Sequence, residues 1–338
     1  MSSLIPYLHR AAAGEHLSAE DAQNAMGALL EGEATPAQIA AFAVAIKMKG
    51  ETAEELTGFA RALRERMIVV DAGEGLIDTC GTGGDFSGTF NISTVAAFVM
   101  AGAGARVAKH GGRSASSQTG SADVIEALGI RITMSPEEAA SAIREIGIGF
   151  LFAPNLHPAM RHAAPVRREL KLRTLFNLIG PLANPAKAQA QLIGAPSPEA
   201  AKLMAEALAA LGTGRSFIVH GHDGLDEITT TGPTDVYEVR AGRVEKHLWM
   251  PSDFGVKRAF GEELLGGDAA RNAQIARAIL GGERGAMRDI VLANAAAGLV
   301  AAGFAQDLRV AVKLAEKSID SGAAAAKLEQ LREKFPIS

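Results

Sequence analysis

Near residue 70 the apolar pattern of this 338-residue chain changes period, and that change limits the folds open to it. Upstream, helix starts recur: Ser18 precedes Glu20 and Asp21, Thr35 precedes Pro36, and Thr52 is followed three positions later by Glu55. Ile39, Phe42, Ala43 and Ile46 fall at helical spacing, and Gly50 can close that helix. Downstream come short apolar runs beginning at Leu76, Ala105, Gly147, Gln191 and Ser216. Helical stretches separate them, such as Ser135-Pro136-Glu137-Glu138 and the segment from Ser197-Pro198 to Gly212. Alternating strands and helices bury their apolar faces most simply as a mainly parallel sheet with helices around it. Residues 235–248 break the rhythm and predict a hairpin turned at Ala241-Gly242. The alanine tracts 205–210 and 323–326 are helix formers. The expected fold is therefore α/β, with a small N-terminal α-helical domain and a large α/β domain.

Asp78 to Thr94, DTCGTGGDFSGTFNIST, sets four glycines and Asp85 in a tight loop before a helix expected to start near Ser93. Glycines let backbone N–H groups converge on phosphate oxygens, and a helix start adds unpaired donors and a positive dipole end. The stretch Lys109 to Asp123, KHGGRSASSQTGSAD, brings two cations and many hydroxyls. Two such segments suggest a ligand with phosphate groups at both ends. No GxxxxGK[ST] occurs, and Gly81-Thr82-Gly83 lacks the third glycine of a dinucleotide fingerprint. Asp85 would repel a bare pyrophosphate, so it implies a metal or a sugar hydroxyl. Cys80 reads as a small apolar residue ending a strand. His220-Gly221-His222 has metal-like spacing but no evident third and fourth ligand.

Thirty-eight acids against 34 Lys and Arg leave a net charge of −4, which gives no general attraction to nucleic acid or an anionic membrane. Phosphate affinity must be local. The N-terminus lacks a basic segment followed by an apolar run, and no stretch reaches 18 uncharged apolar residues. With its single cysteine the chain is expected to be cytoplasmic, without a disulfide or a cysteine-based metal cluster.

These residues carry a resemblance. GTGGD at 81–85, NIST at 91–94, KHG at 109–111, SSQTGSADVIEALG at 116–129, FAPNLHPAM at 152–160, VRREL at 166–170, RTLFNLIGPLANP at 173–185 and DGLDE at 223–227 run in order. Together they are similar to the anthranilate phosphoribosyltransferase family, of the nucleoside phosphorylase/phosphoribosyltransferase fold. The resemblance implies a helical domain at 1–70, joined by helices from about 160–180, and an α/β phosphoribosyl-binding domain at 71–159 and 181–338. It implies a homodimer, and transfer of the phosphoribosyl group of phosphoribosyl pyrophosphate (PRPP) to anthranilate. That reaction gives N-(5-phosphoribosyl)anthranilate and pyrophosphate, the second step of tryptophan biosynthesis from chorismate.

By the same resemblance PRPP meets Gly81, Gly84, Asp85, Thr89, Asn91, Ser93, Thr94, Lys109, Ser117 and Ser121. Anthranilate meets Gly81, His110, Gly112 and Arg167, while Ser93, Asp226 and Glu227 hold magnesium, two Mg2+ per subunit. Lys109, His110 and Arg167 would act by positioning and charge stabilisation, without an enzyme nucleophile. Physics does not separate Arg167 from its neighbour Arg168 as the carboxylate partner. Two positions depart from the family. Gly112 replaces the asparagine of Lys-His-Gly-Asn-Arg that contacts anthranilate, and Lys171 replaces a glycine after VRREL. Other readings are a transferase with another aromatic acceptor, a pyrimidine nucleoside phosphorylase, which the intact DGLDE disfavours, and a non-catalytic nucleic-acid-binding relative, which would want a basic surface.

Overall fold

The computed structural model of the protein describes residues 3–83, 87–113 and 118–337. Four helices come first: α1 (Ile5–Ala12), α2 (Ala19–Leu30), α3 (Pro36–Lys49) and α4 (Ala53–Glu65). Their starts follow the cap chemistry. Ser18 accepts from Asp21 N, and Thr35 with Gln38 and Thr52 with Glu55 form capping boxes. Glu55, wholly buried, also accepts from Leu17 N at 2.8 Å and pairs with Lys49 at 2.7 Å, so one cap ties the bundle together. Gly50 closes α3 at φ 85°, where glycine has no Cβ to clash.

Among the described residues there are seven strands, β1 (Leu76–Gly81), β2 (Arg106–Gly111), β3 (Ile148–Phe152), β4 (Ala190–Gly194), β5 (Ser216–Gly221), β6 (Thr234–Arg240) and β7 (Arg243–Trp249). They form one sheet in the order β3-β2-β1-β4-β5-β6-β7. The first five are parallel, and β6 and β7 add as antiparallel strands. Ala241 at φ 50° and Gly242 at φ 75° make the expected hairpin turn.

Helix α5 (Ile92–Gly102), apolar on all sides, is buried with the helix Ala286–Ala301 in a core shared with the sheet. A second core joins Phe42, Leu56 and Phe59 of the N-terminal helices to Val166, Leu175, Phe176 and Ile179 and to Ile193 and Ile218 of the sheet. The helices Ala164–Leu170 and Leu175–Ile179 thus pack back onto α3 and α4. Lys171, ending the first of them, sits at φ 48°, ψ 31°.

Strand order decides where a ligand can enter. The chain goes from β1 to β2 and β3 on one side, then crosses to β4 and β5 on the other, so the loops leaving β1 and β4 diverge. In open α/β sheets the crevice beyond the carboxyl ends at such a switch is the binding place. The β1–β4 ladder runs to Gly81↔Gly194. The β1–β2 ladder holds only Leu76↔Arg106 and Ile77↔Val107, and beyond these the two strands continue side by side without ladder pairs.

Candidate active site

At that switch point a cavity of about 480 Å³ opens. Gly81, Thr89, Asn91, Ser93, Lys109, His110, Gly112, Ser121, Arg167, Asp226 and Glu227, brought from six stretches of chain, all line it. Thr94 does not; it is 1% exposed, behind the wall, with its hydroxyl unpartnered. Gly84, Asp85 and Ser117 lie outside the described residues.

The acids Asp226 and Glu227 sit on the loop after β5, each 8% exposed. Asp226 Oδ2 accepts from Gly83 N at 2.7 Å, and Glu227 Oε1 accepts from Ser93 N at 3.1 Å. Here the helix start differs from expectation. Asn91 occupies the N-cap, but the N–H groups of Ile92, Ser93 and Thr94 are already bonded to Phe90 O, Glu227 and Asn91 O. A carboxylate therefore takes the place at the positive helix end that phosphate was expected to fill. Gly194 and Gly81 permit this approach, because a Cβ on either would overlap Asp226.

These oxygens suit a hard cation. Two carboxylates and the Ser93 hydroxyl match the ligand type magnesium takes, and magnesium keeps other positions for water or substrate phosphate. Among the described residues no group of three or more His, Cys, Asp or Glu side chains gathers to hold a metal by itself. His220 instead bonds Ala195 O at 2.9 Å, and His222 faces Asp235 at 3.3 Å.

Lys109 rises from β2 with its ammonium 2.7 Å from Thr79 O and 3.3 Å from Ser93 Oγ, 2% exposed. Burial lowers its pKa, with Asp78, Cys80 and Glu227 opposing that shift. His110 lies against His157 with the rings tilted, centroids 5.1 Å apart, and burial with the neighbouring His157 and Lys109 charges drives its pKa well down. His157 falls to about 4 through burial, against a weak opposing contribution from Ala183. Both rings are thus neutral near pH 7, and His110 Nε2, itself buried, has no hydrogen-bond partner among the described residues. Burial, with Asp78 nearby, raises the Cys80 thiol well above its ordinary value, so it stays protonated.

Arg167, on the helix Ala164–Leu170, also lines the cavity. Its guanidinium lies 5.7 Å from the Phe176 ring centroid, and among the described residues no acid or hydrogen-bond acceptor holds it. Adjacent helical positions point about 100° apart, and Arg168 is exposed outside the cavity. The geometry therefore separates the two arginines that sequence alone left equivalent.

Several residues here escaped the sequence. Asn272 donates to Asn91 Oδ1 at 3.0 Å and accepts from Gly267 N at 2.8 Å. Asn294 accepts from Ile228 N at 3.0 Å and donates to Ile228 O at 2.9 Å, clamping the residue after Glu227. Asn177 lines the cavity near Arg167's helix pair. An amide inside an otherwise apolar helix, as Asn294 is in LANAAAGLV, was the available signal.

Residues 5–67 match the helical bundle domain of the glycosyl transferase family and residues 73–325 its a/b domain. An anthranilate phosphoribosyltransferase of Solibacter usitatus is 61% identical, with 97% of this chain and 98% of that one covered. The solved anthranilate phosphoribosyltransferase of Thermus thermophilus superposes with a TM-score of 0.91 at 45% identity, covering 97% and 98% of the two chains. That of Saccharomyces cerevisiae, in complex with PRPP and Mg, gives 0.89 at 28% identity, covering 98% and 97%.

Proposed function

Because the chain belongs to the anthranilate phosphoribosyltransferase family, we propose that it transfers the phosphoribosyl group of PRPP to the amine of anthranilate, releasing pyrophosphate. One observation carries this: a single cavity is lined both by two carboxylates with a serine hydroxyl and by an arginine that no acid holds among the described residues. The acids and the hydroxyl suit a metal-chelated diphosphate, and the arginine suits an aromatic carboxylate. The yeast relative was solved with PRPP and Mg and also with 4-fluoroanthranilate.

Departure of pyrophosphate from the ribose C1 leaves positive charge on the sugar and adds negative charge to the leaving group. Asp226, Glu227 and Ser93 would hold the Mg2+, which neutralises diphosphate charge when bound. Lys109 supplies a fixed cation beside Ser93. Arg167 can grip the acceptor carboxylate through two parallel bonds, backed by Phe176. His110, kept neutral, lines the cavity and is a weak base. Orientation and charge neutralisation then carry the rate.

We also propose two Mg2+ per subunit, a homodimer formed through the helical unit at 1–70 with its partners near 160–180, and a cytoplasmic setting. No helix among the described residues is long and apolar enough to cross a membrane. The test is loss of anthranilate fluorescence with PRPP and magnesium. Clean PRPP binding without anthranilate turnover would assign another acceptor.

A further inference from the structure

β1 and β2 pair only through Ile77↔Val107, although both continue four residues further, to Gly81 and Gly111. Backbone groups that a continued ladder would use are answered by side chains. His110 N–H donates to Asp78 Oδ1 at 3.0 Å, Asn184 Nδ2 donates to Ala108 O at 2.9 Å, and the Lys109 ammonium donates to Thr79 O at 2.7 Å. The two inserted side chains also bond each other, Asn184 Nδ2 to Asp78 Oδ2 at 2.8 Å, and Ala186 N fixes Asn184 Oδ1 at 2.8 Å.

We infer that Asp78 and Asn184 form a positioning wedge that holds the carboxyl ends of β1 and β2 apart and aims Lys109 and His110 into the cavity. The catalytic part of this rests on the transfer proposed above. Asp78 has no exposed surface and Asn184 is 5% exposed. Burying a carboxylate is costly, and an apolar β-former at 78 would let the ladder close. The acid at this place is explained by what the open ladder provides. Cys80 and Gly81 on one strand and Lys109, His110 and Gly111 on the other line the cavity beyond the end of the ladder. Asp78 also sets a countercharge beside Lys109, favouring the cation that burial disfavours. Its own pKa is raised by burial and held back by Asn184, Lys109 and the His110 N–H.

The test uses Asp78→Asn, Asp78→Val, Asn184→Ala and the Asp78→Asn/Asn184→Ala pair. Asp78→Asn keeps an acceptor for His110 but turns an amide toward Asn184 and removes the countercharge. The expected result is a kcat lowered about tenfold or more, with the KM for PRPP within about threefold of wild type. The double variant should be scarcely worse than the more damaging single one, because both sit in one network. A crystal structure of Asp78→Val should show the strands paired beyond Ile77↔Val107 with His110 displaced. Wild-type kcat in Asp78→Asn, or additive losses, would overturn the positioning role. Strands still parted in Asp78→Val would overturn the wedge. If the wild-type protein ignores anthranilate, the acceptor assignment fails on its own, and the Asp78→Val structure still decides the wedge.

Discussion

Substituting Gly112 by asparagine restores the amide that the family carries at this position, and the structure allows its effect to be bounded. Gly112 is not among the residues at positive φ, and a Cβ there meets nothing nearer than Ala153 Cβ at 4.0 Å. The backbone is therefore unstrained by a side chain, and the cavity has room for one. A new neutral hydrogen bond contributes about 0.5–1.5 kcal/mol net, which is about a two- to twelvefold gain in affinity. Ordering the new side chain takes back part of this, so a gain of about two- to fivefold is expected. Steady-state loss of anthranilate fluorescence should show the anthranilate KM falling by that factor with the PRPP KM unchanged. Ring-substituted anthranilates should lose ground, because the amide fills space that Gly112 leaves open. An unchanged anthranilate KM in a folded variant, or equal shifts for both substrates, would refute a place for residue 112 at the acceptor.

Replacing Asp226 and Glu227 together by alanine should lower turnover by about a hundredfold or more. Calorimetry should show metal-free pyrophosphate binding no worse than wild type, because two repelling carboxylates are gone and the Gly83 and Ser93 N–H groups are freed; full activity at low magnesium would remove the acids from the mechanism. Arg167→Ala should raise the anthranilate KM by an amount worth about 2–4 kcal/mol and leave that for PRPP nearly alone, while Arg168→Ala does neither. His157 binds its proton near pH 4 when folded and near 6.5 when unfolded, so the unfolded chain takes up the proton first as pH falls. Stability should therefore drop between pH 6.5 and 4 by about 3 kcal/mol from this residue, with no contribution above that window; urea titrations at pH 7 and 4.5 should show a smaller drop in His157→Gln. Lys171→Gly should stabilise the fold by about 0.5–1 kcal/mol in the same titrations, by relieving a left-handed non-glycine residue.

Local chemistry made much of this protein legible before any coordinates. Helix starts at Ser18, Thr35, Thr52 and Ser135 depend on residues three positions apart, and the hairpin at Ala241-Gly242 on two adjacent dihedrals. Period and spacing likewise located the five parallel strands, since each is written within a few residues. What lay beyond them was set by contacts across long stretches of chain. Glu227 capping Ser93 spans 134 residues, Asn272 on Asn91 spans 181, and Asn184 on Asp78 spans 106. The helix start that looked free for phosphate is closed by one such contact. Whether Arg167 or Arg168 lines the cavity depended on which face of a short helix turned toward it. The parted strands beneath Lys109 and His110 came from two polar side chains outcompeting a backbone ladder. A sequence states which groups exist and which local turns they favour; only the folded chain decides which distant donor meets which acceptor.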